Sequence, residues 1–569
     1  MAEPLYDGRQ ARHRLRVVVV GCGLAGLSAA ITLSASGHTV TLLDAASSPT
    51  LREARTGAGI QVSPNMSKIL VRWGLAGALE KLGVQPQAAV LRRYSDGAVV
   101  GYSCWDSETM TDRYGAGYYH LHRADLHRIL FDRAISSPNV SLKLGTRVTS
   151  IDPDAPSVTL SSGDVLSADL IIGADGVHSL VRHAVVGRPA HAQRTGDAAY
   201  RAVIPTSLMM DDPQLRELVE RPEMTTWMGP GRHIMGYCVR ARQEYNVVML
   251  HPDSSPIPVS TVYVNGSGTG GNMPEDWTSD SHACSAEQMR ADFADFEPRV
   301  RALLARIDRP LKWRLRERPP NERWVHPSGK VVLIGDACHP MLPYRAQGAA
   351  LSLEDAAFLG SLLSRLQSPS ALPALLTAYE SLRTQRATTT FESASLNRFT
   401  FHLPDGPAQE ARDRSMRRAM RTELRAARAR GIGVGLALEG GMGSIGSFGT
   451  TSSEADSCSI RSGETPNSAG IYGSLDDGIK KRKNADNANQ WADAAKNDAQ
   501  YGYDAEAEAD AWWGREGAEL VERLEREEEE LAKLNAGGGG GGAARGVEGR
   551  GGEKGWKKTF GSSFFKRTK

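Results

Sequence analysis

The order of apolar and polar positions near the start of the chain predicts a strand, a helix and a second strand. An apolar run at residues 15–20 ends in glycines, a helical apolar period follows over 24–36, and a second apolar run covers 38–43. Short apolar runs are typical of strands, whereas a longer stretch with helical period indicates a helix. This β-α-β order favours an α/β fold with a parallel sheet.

Further along, the pattern changes to short alternating segments, which predicts a second layer built from an antiparallel or mixed sheet. Two nearly all-apolar runs, 169–173 and 330–335, are typical of buried strands and should return to the first sheet. From residue 353 to 430 the pattern is helical, so we expect long C-terminal helices. The alternating segments cover residues 90–102, 198–204, 224–228, 234–239 and 245–250.

Composition and charge narrow the classes of partner. The 569 residues contain 68 Lys and Arg against 66 Asp and Glu, a balance that does not point to a nucleic-acid or anionic-membrane partner. The six cysteines are scattered singly without metal-type spacing, which fits a reducing compartment and predicts no metal site. No apolar run approaches the ~20 residues that span a bilayer, and no secretory signal pattern is present. We expect a cytoplasmic protein that acts on a small molecule.

A glycine motif lies between the first predicted strand and helix. Gly21, Gly23 and Gly26 form G-C-G-L-A-G, and Asp44 ends the second strand 18 residues after Gly26. Such glycines let the backbone approach a pyrophosphate at the helix N-terminus, and an acid at that strand end can accept hydrogen bonds from ribose hydroxyls. The alternative is a plain glycine turn with a strand-end Asp. The context indicates a Rossmann-type dinucleotide site, although the motif does not separate NAD from FAD.

Three further segments carry a family resemblance. They are HRADLHR at residues 122–128, GADGVHSLVR at 173–182 and GDACHPMLPYRAQGAALSLEDA at 335–356. With the glycine motif, they resemble the fingerprints of the single-component flavoprotein aromatic hydroxylases, above all the salicylate-hydroxylase-like fungal monooxygenases, over about residues 15–403. The resemblance implies that FAD stays bound and that NADPH or NADH binds only transiently. It also implies that the nicotinamide cofactor has no separate Rossmann domain. It also implies a Rossmann-type FAD-binding domain, a mixed or antiparallel β-sheet substrate domain and long C-terminal helices.

Pattern and resemblance together predict the domain organisation. The Gly- and Ser-rich insert has too few apolar residues to offset the entropy of ordering, which predicts disorder. The aromatic residues of the segment after it predict docking on the folded part. The last tail is interpreted as solvated, with weak membrane contact as the alternative. The divisions are a tail at 1–14, an FAD-binding domain at 15–190 with a contribution to the substrate sheet near 75–105, a substrate domain at 191–320, a return to the FAD domain with C-terminal helices at 321–430, the insert at 431–483, a helical segment at 484–535 and a tail at 536–569.

The resemblance also assigns cofactor contacts. It places Asp336 on the ribityl or pyrophosphate part of FAD, Arg123 against the cofactor, and Ala58 and Gly59 near the adenosine end. The helix expected from Gly348 would point its positive end at the flavin's pyrimidine edge, which becomes anionic on reduction. As structural alternatives, a strand-end Asp is often a helix cap and an Arg in HRADLHR can be a surface cation. The expected cofactor set is Gly21, Gly23, Gly26, Asp44, Ala58, Gly59, Arg123, Asp175, Asp336, Gly348 and Ala349.

The reaction and its catalytic residues are likewise implied by the resemblance. In this family, reduced flavin and O2 form a hydroperoxide that attacks an electron-rich carbon, which implies hydroxylation of a small phenolic or aromatic-acid substrate. Pro343 is expected beside the reacting oxygen. Arg201 and Tyr237 are expected to hold and activate the phenol, since Arg can keep a phenolate ionised. The alternatives are a cross-strand pair for Arg201 and a core position for Tyr237. His233 and Tyr200 are reserve candidates.

Two departures from the family pattern and several other functions stay open. The segment LREARTGAGIQ, residues 51–61, carries two more residues than the usual family form, so its backbone contacts to adenosine are undefined. Arg345 replaces a usually uncharged residue and could bind a carboxylated substrate, the nicotinamide cofactor or nothing. His339 is interpreted as structural support. The alternative functions are flavin-dependent epoxidation or oxidative dearomatisation in secondary metabolism, an NAD dehydrogenase, and a non-catalytic Rossmann-like binding protein.

Overall fold

The computed structural model describes residues 4–48, 58–189, 192–253, 281–318, 323–430 and 488–537. The predictions for the extra residues near 51–57, for the insert at 431–483 and for the last tail beyond residue 537 lie outside these ranges. The strands are β1 (Arg16–Val20), β2 (Thr39–Leu43), β3 (Gly59–Val62), β4 (Ala88–Arg93), β5 (Val99–Cys104), β6 (Tyr119–His122), β7 (Val140–Lys143), β8 (Val148–Asp152), β9 (Ser157–Leu160), β10 (Val165–Ser167), β11 (Leu170–Gly173), β12 (Gln193–Pro205), β13 (Met224–Gly229), β14 (Arg232–Val239), β15 (Glu244–Pro252), β16 (Ser281–Ala283), β17 (Leu311–Glu317) and β18 (Val331–Leu333). The α-helices are Leu24–Ala35, Pro64–Arg72, Ala76–Leu82, Ser107–Tyr114, Arg123–Ile135, Val181–Val186, Pro213–Glu220, Ala286–Asp292, Pro298–Leu304, Gly348–Leu363, Leu372–Phe401, Pro407–Ala429, Ala494–Tyr501, Ala505–Trp512 and Ala518–Gly537.

A five-stranded parallel sheet forms the first layer, in the order β18-β11-β1-β2-β7. Strands β1, β11 and β18 are nearly continuous apolar runs, as expected of strands that are covered on both faces. The register aligns Val20 with Leu43 and with Gly173, and Gly173 with Leu333. The carboxyl ends of β1, β11 and β18 therefore meet at one edge, which is where ligands bind in open α/β sheets.

Two buried helices stand behind that edge. The helices Leu24–Ala35 and Gly348–Leu363 are apolar on nearly all sides and pack directly on each other. A helix without a polar face is stable only when it is enclosed on every side. Because each of these helices begins at the carboxyl edge of the sheet, both N-termini are fixed at the same place.

An eight-stranded mixed sheet forms the second layer, in the order β16-β17-β12-β15-β14-β13-β4-β5. The pairs are antiparallel except for β13 with β4. This sheet and the parallel sheet confirm the predicted α/β class with a separate β-sheet layer. Alternation along β14 places every second side chain on the face that looks toward the parallel sheet edge.

Long C-terminal helices complete the fold, as predicted. Leu372–Phe401 runs beside the helix Gly348–Leu363, and Pro407–Ala429 packs on β5. Residues 488–517 then dock on this framework through buried Trp491, Tyr501 and Trp512. Every helix in the described part of the chain is too short or too polar to span a lipid bilayer.

Candidate active site

A cavity of about 300 Å³ lies between the carboxyl edge of the parallel sheet and the mixed sheet. Its volume is within the range of small-molecule sites. The cavity brings together residues that the sequence assigned separately to a cofactor and to a substrate. Of the predicted site residues, those that line it are Gly23, Ala58, Gly59, Arg123, Arg201, Tyr237, Asp336, Pro343, Gly348 and Ala349, together with the reserve candidate His233.

The glycines of the G-C-G-L-A-G turn serve different purposes. Gly21 has a φ of +108°, and a Cβ there would lie 2.4 Å from the carbonyl oxygen of Ala174. A Cβ on Gly26 would lie 1.9 Å from the carbonyl oxygen of Gly21, so the helix can approach the turn because this position has no side chain. A Cβ on Gly23 would meet no protein atom within 4 Å. Gly21 and Gly26 therefore shape the turn, whereas Gly23 leaves its space open toward the cavity.

Two helix N-termini open at the cavity without a side-chain cap from the described residues. Gly23 is the N-cap of Leu24–Ala35, and Gln347 is the N-cap of Gly348–Leu363. The first N–H groups of a helix have no partner within the helix, and they favour an anionic ligand. This donor set suits a pyrophosphate at the first helix and an anionic ring edge at the second, so the residues present fit FAD.

Two predicted cofactor carboxylates hold backbone turns instead of lining the cavity. Asp44 accepts hydrogen bonds from the N–H of Cys22 at 2.8 Å and of Ala46 at 2.7 Å, which fixes the glycine turn. Asp175 accepts from the Ser179 hydroxyl at 2.5 Å and from the N–H of Leu180 at 2.7 Å. The residues on either side of Asp175 line the cavity, whereas its carboxylate is satisfied within its own loop. Contacts of either carboxylate with FAD stay predictions.

Asp336 and Arg123 face each other across the cofactor end of the cavity. Asp336 is open to the cavity, but the protein around it raises the pKa of its carboxyl by desolvation, while the charge of Arg123 acts in the opposite direction. The N–H of Arg123 donates to the carbonyl of Ala58 at 2.9 Å. The N–H of Gly59 donates to Oδ1 of Asn246 at 2.6 Å, which joins Gly59 to the mixed sheet beside Tyr237.

A buried ionic network supports the loop that carries Asp336. Asp355 accepts hydrogen bonds from the N–H of Gly335 at 2.9 Å and from Nε of Arg383 at 2.9 Å. Nε2 of His339 lies 2.7 Å from Oδ2 of Asp355. Burial pushes the pKa of Asp355 upward, but His339 and Arg383 outweigh this and hold it below its usual value. His339 thus contacts the loop support and does not line the cavity, in line with the structural role expected of it.

The other end of the cavity is built on β14. His233, Met235 and Tyr237 alternate along this strand and all three line the cavity, with Arg201 contributed by β12. Pro343 lies in the short 3-10 helix Pro343–Arg345 that reaches the same space. Burial raises the pKa of Tyr237, and the nearby Arg201 opposes this shift. A cation and a protonated phenol therefore share a largely apolar wall.

Three residues occupy positions that the sequence did not indicate. Tyr200 donates to Oδ2 of Asp292 at 2.7 Å, away from the cavity lining, so this reserve candidate is wrong. Arg345 is buried, with its Nε 3.0 Å from Oε1 of Gln500, so it is directed to the C-terminal segment and not to a substrate or nicotinamide at the cavity. His402, which sequence reasoning missed, lies directly behind His233; no spacing pattern connects these two residues along the chain.

The glycine turn, the two open helix ends and the cavity at the sheet edge are typical of a dinucleotide-dependent oxidoreductase. A family model described as FAD binding domain matches residues 14–394. The chain is 37% identical over 407 residues to the FAD-dependent monooxygenase OpS4 of Beauveria bassiana (strain ARSEF 2860), covering 71% of this chain and 90% of that relative. It is 35% identical over 409 residues to the 3-amino-4-hydroxybenzoate 2-monooxygenase of Streptomyces cremeus, covering 71% and 92%. A solved salicylate hydroxylase substrate complex matches with a TM-score of 0.57 at 26% identity, covering 74% of this chain and 95% of that chain.

The chain belongs to the FAD-dependent monooxygenases of the salicylate-hydroxylase-like type. The predicted family, enzyme class and cofactor are therefore confirmed, and the alternative of a non-catalytic binding protein is not needed. When bound, FAD supplies the transfer of electrons from NAD(P)H and the activation of O2. The chain binds and orients FAD and the substrate, and it excludes water from the site.

Proposed function

We propose that this monooxygenase hydroxylates a small phenolic or aromatic-acid substrate held between Arg201 and Tyr237, with Pro343 beside the reacting oxygen. The observation that carries the proposal is the single cavity that these three residues share with Gly23 and Asp336. The relative from Streptomyces cremeus, named for a hydroxylated aromatic acid, supports the same substrate class.

The charges around the substrate end suit a phenolate. Arg201 supplies a fixed cation that stabilises the ionised oxygen of the substrate. Tyr237 is buried and its pKa is raised, so it stays protonated and donates a hydrogen bond to that oxygen. Met235, Leu250 and Leu342 line the remaining wall and limit access of water to the reacting carbon.

For the cofactor, we infer that the N-terminus of Leu24–Ala35 holds the pyrophosphate and that the N-terminus of Gly348–Leu363 faces the flavin ring. Asp336 and Arg123 would contact the part between them, and Asp44 the ribose. The positions of the two open helix ends support this orientation. Since NAD(P)H is held within cells, we place the reaction in the cytoplasm. Weak membrane contact of the tail at 536–569 is a further proposal, which sedimentation with anionic vesicles would test.

The purified enzyme is expected to oxidise NADH or NADPH faster in the presence of a phenolic acid. A panel of salicylate, 4-hydroxybenzoate and 3-amino-4-hydroxybenzoate would be scored by O2 uptake and by product analysis. Replacing Arg201→Gln or Tyr237→Phe should lower kcat/KM for an active phenol at least about tenfold, because a hydrogen bond to a charged group contributes about 1.5 to 3 kcal/mol.

Arg314→Gln is the matched control. Arg314 lies on β17, its Nε is 3.2 Å from Oδ2 of Asp253, and it does not line the cavity, so the variant should keep the kcat/KM of the wild type. If a phenol of the panel is a substrate and its kcat/KM is unchanged in the Arg201 and Tyr237 variants, these two residues do not hold or activate it. If no phenol of the panel stimulates the oxidation of NADH or NADPH, epoxidation or oxidative dearomatisation of another substrate would be favoured.

A further inference from the structure

The near-balance of charge over the whole chain conceals two helices of opposite sign. Pro407–Ala429 contains seven arginines and three acidic residues, whereas Ala518–Gly537 contains seven glutamates and three basic residues. Both helices follow residue 394, where the family match ends, and no described residue of either lines the cavity. The proposed reaction uses neither helix, so their charges need another explanation.

One side of Pro407–Ala429 packs on the protein, and the opposite side carries cations. The buried side, which includes Met416 and Met420, lies on β5. A second set of side chains is spaced by four, three and four residues, which places them together on the face opposite the buried one. All of them are exposed, and in the described part of the chain only the first has an acidic partner, within its own helix at 3.5 Å. This arginine face consists of Arg414, Arg418, Arg421 and Arg425.

The acidic helix Ala518–Gly537 leaves the body of the protein along its length. Val521 is buried, but every side chain from residue 526 to residue 533 is exposed. This stretch holds the consecutive glutamates 527–530 and then Leu531, which is 61% exposed. In the described part of the chain, no cation of another element pairs with these glutamates. A short helix without a packed face is marginally stable in water, so a partner that covers these turns would stabilise them.

We propose that the arginine face of one copy of this chain binds the acidic helix of a second copy. The two surfaces match in sign and in length, since Arg414–Arg425 and Glu519–Glu530 each extend over about 18 Å of helix. The methylene stems of the arginines can cover Leu531 while their guanidinium groups pair with the glutamates. Each exposed ion pair contributes little alone, so the contact depends on several pairs formed together.

A second copy fits both surfaces better than other polyanions do. An anionic membrane or a nucleic acid would cover the arginine face but would repel the acidic helix. Each copy of the chain carries both surfaces, so two copies related by a twofold axis can form the contact twice and leave neither surface open. The same pairing explains why the charges of the whole chain nearly cancel although each helix is strongly charged.

Sedimentation velocity of the FAD-loaded, full-length enzyme over a range of concentrations measures the self-association. Charges are screened beyond about 10 Å at 0.1 M salt and beyond about 3 Å at 1 M, so the Kd of self-association should rise at least about tenfold between these two conditions. Two triple variants each reverse one surface and should both be monomeric, because each then carries two surfaces of the same sign. Mixed together, they should associate again. The variants are Arg418→Glu with Arg421→Glu and Arg425→Glu, and Glu527→Lys with Glu529→Lys and Glu530→Lys.

The matched control reverses three exposed arginines outside both surfaces, Arg128→Glu with Arg306→Glu and Arg309→Glu, and should self-associate with the Kd of the wild type. The unfolding temperature and the flavin absorbance of each variant show that it is folded and loaded. A wild type that stays monomeric at every concentration at low salt, or a mixture of the two reversed variants that does not associate, would overturn the proposal. If the wild type is monomeric and binds phosphatidylserine vesicles through the arginine face, the occupant is a lipid surface and the proposal is equally wrong. None of these outcomes depends on the substrate of the enzyme.

Discussion

Replacing Arg383 with methionine is expected to lower the free energy of unfolding by about 3 to 5 kcal/mol, the cost of leaving a buried charge without its partner. Arg383 is completely buried, and its guanidinium lies 2.9 Å from Asp355 and 2.8 Å from Glu354. Methionine fills most of the volume but removes the guanidinium that pairs with the carboxylate of Asp355. Since Asp355 also binds the N–H of Gly335, the variant should lose FAD affinity together with stability. Chemical denaturation and flavin titration measure the two effects.

Arg386→Met is the matched control for this prediction. Arg386 lies 3.0 Å from the same Glu354, but its side chain is 12% exposed and Arg383 remains to neutralise the carboxylate. The loss of stability should therefore be clearly smaller than in Arg383→Met. Equal losses of stability in the two variants would show that the buried pair of Arg383 and Asp355 does not support the loop that carries Asp336.

The parts of the site that sequence could predict are those that follow from local patterns of apolar and polar residues. The apolar runs of β1, β11 and β18 indicated covered parallel strands, and the common carboxyl edge of such strands explains why Gly23 and Asp336 meet. Alternation in β14 could also have shown that His233 and Tyr237 share a face, because every second side chain of a strand points the same way. These features depend on neighbours within a few residues.

The contacts that sequence could not predict join distant segments through single polar side chains. Arg345 lies two residues after Pro343 and could have bound a ligand at the cavity or nothing, but the 3-10 turn directs it to Gln500, 155 residues away. His233 and His402 are 169 residues apart. Asp175 was assigned by resemblance to the cofactor, whereas its carboxylate satisfies the N–H groups of its own loop. Such pairings depend on tertiary geometry and leave no periodic signal in the chain.

Residues of the C-terminal segment also contact the two arginines beside Glu354. The family match ends at residue 394, yet Tyr503 accepts from Nη1 of Arg383 at 3.0 Å, and the carbonyl of Gln500 accepts from Nη2 of Arg386 at 2.9 Å. The cations that neutralise Glu354 are thus themselves covered by residues outside the family match. Support of the Asp336 loop therefore comes both from residues within the family match and from residues of the C-terminal segment.

The glycine turn provides the sharpest test of where the cofactor lies, through two alanine variants three residues apart. Gly26→Ala places a Cβ 1.9 Å from the carbonyl oxygen of Gly21, so helix and turn must separate. Overpacking of this kind costs about 1 to 3 kcal/mol or more, and we expect protein with a lower unfolding temperature and without bound flavin. Thermal unfolding and the visible flavin absorbance of the purified protein measure both changes.

Gly23→Ala should separate binding from folding. Its backbone, at φ −82° and ψ −173°, suits alanine, and the new Cβ would meet no protein atom within 4 Å. The flavin-free variant should unfold at the same temperature as the flavin-free wild type. It should bind FAD much more weakly, because the methyl group takes the space through which a pyrophosphate reaches the helix N-terminus. Wild-type FAD affinity in Gly23→Ala would mean that the pyrophosphate lies elsewhere, and the cofactor orientation inferred from the two open helix ends would have to be abandoned.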